Sequence, residues 1–108
     1  MSVYAQVKGI DIDDDICSYT YPHTFDVVTC FDVLEHVEDL NKAKLNIYDL
    51  CRYGGLIIVN QPEQCDKSQP IDNQVELKDL EDLGKLIYLE HYQVGVNESY
   101  NFMVFRKV

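Results

Sequence analysis

The chain has 108 residues, the length of one domain, and 46% of them are hydrophobic, so it can bury a core without disulfides or a structural metal. Nineteen acidic against nine basic residues give a net charge of −10. That balance, with no lysine–arginine stripe, disfavours a nucleic-acid partner, because phosphate backbones are held by cations.

In chain order, Val3 to Ile12 alternates loosely, with Val3, Ala5, Val7 and Gly9 on one side, and predicts a strand. Asp11, Asp13, Asp14 and Asp15 follow. A calcium loop of the EF-hand type also needs a central glycine and a terminal glutamate, and both are missing at the required offsets, so a solvated acidic loop is expected. Phe25 to Phe31 is a short apolar run rich in β-branched residues, suited to a strand covered on both faces.

Asp32, Glu35 and His36 crowd the place where that strand ends. Ligands of open α/β sheets bind just beyond the carboxyl ends of the strands. Glu38 to Arg52 is the strongest helix, with Leu40, Ala43, Ile47, Leu50 and Cys51 on one apolar stripe. Asp39 is placed to cap it, and Gly54 with Gly55 to stop it. Leu56 to Asn60 predicts a second buried strand, ended by Pro62, and Glu63 to Asn73 a polar loop. Val75 to Leu83 predicts a short helix closed by Gly84. Leu86 to Val94 and Tyr100 to Val108 predict two strands, joined by the turn-like Gly95 to Ser99 into an antiparallel hairpin.

Cys17, Cys30, Cys51 and Cys65 lack paired spacing, which argues against zinc and for reduced thiols, two of them inside apolar runs. The first ten residues do not read as a signal peptide, and no run approaches a membrane span. A cytoplasmic protein without a membrane partner is expected.

FDVVTCFDVLEHVEDL, then a helix, then Arg52-Tyr53-Gly54-Gly55 and LIIVNQP, resemble the C-terminal half of class I S-adenosylmethionine-dependent methyltransferases. Over Phe25 to Pro62 the resemblance is greatest to the ubiquinone-biosynthesis O-methyltransferases. It implies an α/β fold: a truncated Rossmann-like methyltransferase sheet, mostly parallel with an antiparallel final strand. In the family order 3-2-1-4-5-7-6, Val3–Gly9 would be the third strand, Phe25–Phe31 the fourth and Leu56–Asn60 the fifth. Leu86–Val94 would be the sixth and Tyr100–Val108 the seventh.

No GxGxG occurs; the five glycines stand at 9, 54, 55, 84 and 95. Residues 1–108 therefore read as a single partial domain without the glycine-rich cofactor motif. The resemblance implies S-adenosyl-L-methionine as cofactor, with Phe31 lining its pocket and Asp11 and Asp13 near its adenine. Phe31 as a core residue and the aspartates as a solvated loop are the competing readings. It also implies that Asp32, Glu35 and His36 hold a divalent metal such as Mg2+, for which two carboxylates and an imidazole are a suitable donor set. His36 would alternatively be a general base. The competing structural reading has the carboxylates satisfying backbone donors at a strand-to-helix turn. The function implied is methyl transfer to a small-molecule acceptor, by one part of a split or truncated methyltransferase. The alternative is a non-catalytic remnant acting as an interaction or regulatory subunit. The corresponding partners are a complementing N-terminal-half chain or a second copy in a homodimer.

Overall fold

A computed structural model describes residues 22–31, 34, 37, 39–62, 75–96 and 98–108. The expected strand over Val3–Ile12, the acidic run after it and the polar loop before Val75 lie outside the described residues.

The β-branched run forms β1 (Phe25–Phe31) at its expected bounds. Asp39 is extended at φ −129°, ψ 100°, and its carboxylate accepts the Lys42 N–H at 3.2 Å. This side-chain bond satisfies one of the free donors of a helix N-terminus and starts α1 at Leu40. Helix α1 (Leu40–Leu50) is two residues shorter at each end than expected. At its C-terminus the stop is not glycine. Cys51 turns extended (φ −92°, ψ 134°) and opens β2 (Cys51–Pro62) directly.

Gly54 and Gly55 therefore belong to β2, which they distort. Phe25 pairs with Cys51 but Val27 with Leu56, so Arg52 to Gly55 is pushed out of the ladder between two successive pairings. The Gly54 N–H, at φ 81°, donates to the Lys107 carbonyl at 2.7 Å, and the Lys107 N–H donates to the Gly55 carbonyl at 3.0 Å. A Cβ at Gly55 would stand 2.7 Å from the Asp26 carbonyl oxygen, so the loop closes only around glycine.

The helix expected over Val75–Leu83 divides into α2 (Leu77–Leu80) and a 3-10 turn, Glu81–Leu83. The Glu76 N–H donates to the Asp79 carboxylate at 2.9 Å, half of a capping box that starts α2. Strands β3 (Lys85–Val94) and β4 (Glu98–Arg106) form the expected hairpin around Gly95 at φ 72°.

The sheet order is β1-β2-β4-β3. β1 and β2 are parallel, and β4 is antiparallel to both β2 and β3. Three strands thus share one direction and the last strand alone runs against them. This is the order expected for the family's fourth, fifth, seventh and sixth strands.

One sheet face is the core. Cys30, Ile57, Val59, Met103 and Phe105 meet Ala43, Ile47 and Leu50 of α1 and Leu80 and Leu83. Lys44 of α1 reaches across, donating to the Asp79 carbonyl at 2.5 Å and pairing with Asp82 at 3.1 Å, which ties the two helical pieces together. The other face, with Val27, Thr29, Phe31, Ile58, Phe102 and Val104, has no described helix over it. This corrects two expectations. β1 is not covered on both faces, since Val27 is 47% exposed, and Phe31, at 52%, is not a core residue. Both side chains point away from the face on which the described helices pack. No helix among the described residues is long and apolar enough to cross a membrane.

Candidate functional site

The parallel strands β1 and β2 end together. Phe31 pairs with Asn60, Asn60 with Phe102 of β4, and Tyr92 with Tyr100 at the neighbouring position of the hairpin. Alternation puts Phe31, Asn60 and Phe102 on the face away from the core. Together with Tyr92 they line an open cleft of about 370 Å³.

The cleft has apolar walls and one polar pair. The Tyr92 hydroxyl donates to Asn60 Oδ1 at 3.0 Å. The Tyr92 ring stacks on Tyr100 with centroids 5.5 Å apart and planes 17° from parallel. Phe102 meets Tyr88 edge-on at 6.1 Å and 77°. These contacts orient both rings. Tyr88 in turn donates to the Glu90 carboxylate at 2.8 Å, and that bond, with the carboxylate's charge, holds the phenol's pKa above its ordinary value. The phenol therefore remains neutral at physiological pH.

Of the residues singled out in the sequence, Phe31 stands at the mouth of this cleft. Asp32, Glu35 and His36, together with Asp11 and Asp13, lie outside the described residues. Among the described residues no group of three His, Cys, Asp or Glu side chains could hold a metal ion. His91 lies 2.9 Å from Asn101 Oδ1 on the exposed hairpin. Cys30 and Cys51 are buried and stand outside any disulfide, as expected of small apolar residues. Burial pushes the Cys51 thiol pKa up, against the opposing pull of Lys107 and Arg52, so this cysteine is not an activated nucleophile.

Asn60, Tyr92 and Phe102 were not legible as site residues. The one available signal was the two-residue spacing of Tyr100 and Phe102, which marks a shared strand face. A second, smaller hollow of about 150 Å³ beside Lys44, Leu45, Tyr48, Asp82 and Leu83 is bridged by the Lys44–Asp82 ion pair and reads as structural.

A four-stranded mixed sheet with β1, β2 and β3 in one direction, the antiparallel β4 between β2 and β3, and helices packed on one face is an α/β fold. The methyltransferase domain family matches residues 3–106, and the chain belongs to that family. No curated protein sequence matches it. Among solved structures it is similar to the N-methyltransferase NodS from Bradyrhizobium japonicum WM9, with TM-score 0.68 and 18% identity over 86% of this chain and 56% of that one. It is also similar to the [4+2]-cyclase SpnF, with TM-score 0.66 and 15% identity over 86% of this chain and 54% of that one. Phosphoethanolamine N-methyltransferase 2 of Haemonchus contortus, solved with S-adenosyl-L-methionine, gives TM-score 0.63 and 15% identity over 87% and 36%. At these identities the likeness establishes the fold alone. The chain spans roughly half the length of the first two structures and about a third of the last.

Proposed function

We propose that the chain forms the acceptor side of an S-adenosylmethionine-dependent methyltransferase domain. The observation that carries this reading is the sheet order, with β4 inserted antiparallel between β2 and β3 and the cleft at the ends of β1 and β2. Several solved neighbours are methyltransferases, two of them held with S-adenosyl-L-homocysteine, which supports the same cofactor class here.

The described residues do not by themselves make a cofactor cradle. Gly54 and Gly55 are bonded to Lys107, Gly84 packs against the Arg106 carbonyl, and Gly95 turns the hairpin. No step is therefore derived through the cofactor. In this reading the glycine-rich half comes from elsewhere, in the same polypeptide or another, and this chain binds and orients the methyl acceptor. Orientation is the protein's main contribution to such a transfer. His36 would take the acceptor's proton as a general base near neutral pH. The donor set of Asp32, Glu35 and His36 suits Mg2+ or Mn2+, so the same turn is the place for a divalent ion. The similarity to ubiquinone-biosynthesis O-methyltransferases remains a proposal carried by the Phe25–Pro62 residues. One solved neighbour holds phosphomonomethylethanolamine. The described lining of this cleft has no cation to meet a phosphate, so an acceptor of another kind fits better.

A second reading is favoured by the sheet face that carries Val27, Phe31 and Tyr88, each about half exposed. A non-catalytic subunit would use it to pack against a complementing half-domain or a second copy. Reduced, buried Cys30 and Cys51 accord with a cytoplasmic setting for either reading.

Titration with S-adenosylhomocysteine, followed by amide correlation spectra, separates them. The acceptor-side reading expects weak, millimolar perturbations confined to Phe31 and the residues that follow it. No perturbation favours the non-catalytic subunit over the acceptor-side reading, and low-micromolar affinity rejects the idea that half the site is supplied from elsewhere.

A further inference from the structure

We propose that the outer edge of β3 pairs antiparallel with the same edge of a second copy, joining two sheets into one about a two-fold axis at His91. The claim is independent of the methyltransferase reading, and this edge is distinct from the exposed sheet face named above.

Three observations point to this partner. The first is an open edge. β3 ends the sheet order of the described residues, and eight of its ten residues are exposed. An edge strand presents a row of backbone N–H and C=O groups that a further strand can take up. Proline, inward-pointing charges, short length and bulges are the usual guards against such pairing. β3 has no proline, one lysine at its first position, and one register shift, between Leu86 and Tyr88. From Tyr88 to Val94 it pairs with β4 residue for residue, and Tyr88, Leu89 and Val94 are each about half exposed.

The second is charge. Residues 85–108 hold Lys85, Arg106 and Lys107 against Glu90 and Glu98, a net +1, so the preceding residues carry −11 and the whole chain −10. Copies of so acidic a chain repel one another. The hairpin is the part that does not share this charge, and β3 lies at the opposite end of the sheet from β1. Two copies meeting through β3 therefore keep their acidic parts apart. A cationic segment of another protein would be drawn to those acidic parts and away from this edge.

The third is self-complementarity. A two-fold axis perpendicular to the sheet keeps every residue on its own face, so the pairing is centred on a residue. Centring on Glu90 sets two carboxylates directly opposite, which is destabilising. Centring on Leu89 or Tyr88 runs the pairing into the irregular Leu86–Tyr88 step. Centring on His91 uses the whole regular stretch. Tyr88 then faces Val94 of the second copy, Leu89 faces Gln93, and Glu90 faces Tyr92. The first is an aromatic–β-branched pair of the kind that stabilises antiparallel ladders, and the two carboxylates are separated.

The test is sedimentation of the full chain over a concentration series at low and high salt. A reversible monomer–dimer equilibrium is expected, tightened by salt because the acidic parts are then screened. His91→Glu and His91→Lys each place like charges opposite one another at the axis, and each is expected to weaken self-association by roughly two- to fivefold. An equal mixture of the two is expected to associate more tightly than either alone, which neither a folding defect nor a contact elsewhere would produce. Val27→Lys, on the exposed sheet face, is expected to leave the equilibrium unchanged. In wild type, the amide signals of Tyr88 to Val94 are expected to move with concentration. A chain that stays monomeric, a dimer indifferent to charge at His91, or variants that do not rescue each other overturn the proposal. Concentration-dependent signals confined to Val27 and Phe31 assign the contact to the sheet face and overturn it as well.

Discussion

Lys107 Nζ donates to the Tyr48 carbonyl at 2.8 Å and stands 4.0 Å above the centre of the Tyr48 ring. A second bond, at 2.9 Å, runs to the Cys51 carbonyl. The residue just beyond β4 thus closes the C-terminus of α1, where backbone carbonyls lack intrahelical donors and the helix dipole is negative. Its own backbone is bonded to Gly54 and Gly55. One buried lysine therefore fixes the helix end, the displaced Arg52–Gly55 segment and the end of β4. Lys107→Met keeps most of the stem and removes the donors. It should lower unfolding stability by about 1–3 kcal/mol in urea titrations, the range for losing hydrogen bonds from a charged group and leaving carbonyls buried. A loss under about 0.5 kcal/mol would mean the clamp is incidental.

The two glycines beside that clamp should respond differently to alanine. At Gly55 a new Cβ would meet Asp26 O at 2.7 Å, Cys51 Sγ at 2.8 Å and Arg52 O at 2.9 Å. Two of the three are backbone atoms that cannot rotate away, so Gly55→Ala should destabilise by about 2 kcal/mol or more through overpacking. At Gly54 the nearest atom is the flexible end of Arg52 at 3.6 Å, and only the positive φ opposes a side chain. Gly54→Ala should lose roughly 1 kcal/mol, the strain of a left-handed conformation. Denaturant midpoints of the two variants check the ranking, and a reversed order would contradict the packing described for Gly55.

Asp39 should contribute about 1 kcal/mol through its bond to the Lys42 N–H, so Asp39→Ala should lower stability by that amount and Asp39→Ser by less. This cap was readable in advance, as was β1, because both rest on local patterns. The end of α1 was not. Leu50 and Cys51 continue a helical stripe, and what turns Cys51 extended is its pairing with Phe25 and the distant Lys107. The candidate site divides in the same way. Phe31 was singled out only through the family resemblance, and it lies at the mouth of the cleft. Asn60, Tyr92 and Phe102 become neighbours only through strand register, which no local pattern states.

The metal proposal makes its own demand on His36. If Asp32, Glu35 and His36 hold a divalent ion, Mg2+ or Mn2+ binds the folded chain and raises its melting temperature by mass action. His36→Ala should remove that increment. The same shift in wild type and variant would assign the effect to diffuse binding on the acidic surface.

Cys51 sets the last expectation, a pH dependence with a defined sign. Burial raises its thiol pKa above the ordinary 9.0, so the folded chain holds this proton more tightly than the unfolded chain does. Its contribution to stability is complete below pH 9.0 and declines as the pH rises through the folded-state value, because the unfolded thiol ionises first. Cys51→Ala removes the titrating group and leaves a small cavity. It should be less stable than wild type near neutrality, yet its stability should fall less steeply above pH 9.0. The neutral, enclosed thiol should also resist iodoacetamide at neutral pH in the native state and react at the rate of a free thiol in urea. Equal pH slopes for wild type and Cys51→Ala, or rapid native-state alkylation at Cys51, would mean that the thiol is neither as enclosed nor as firmly protonated as its burial against the Arg52 and Leu56 carbonyls requires.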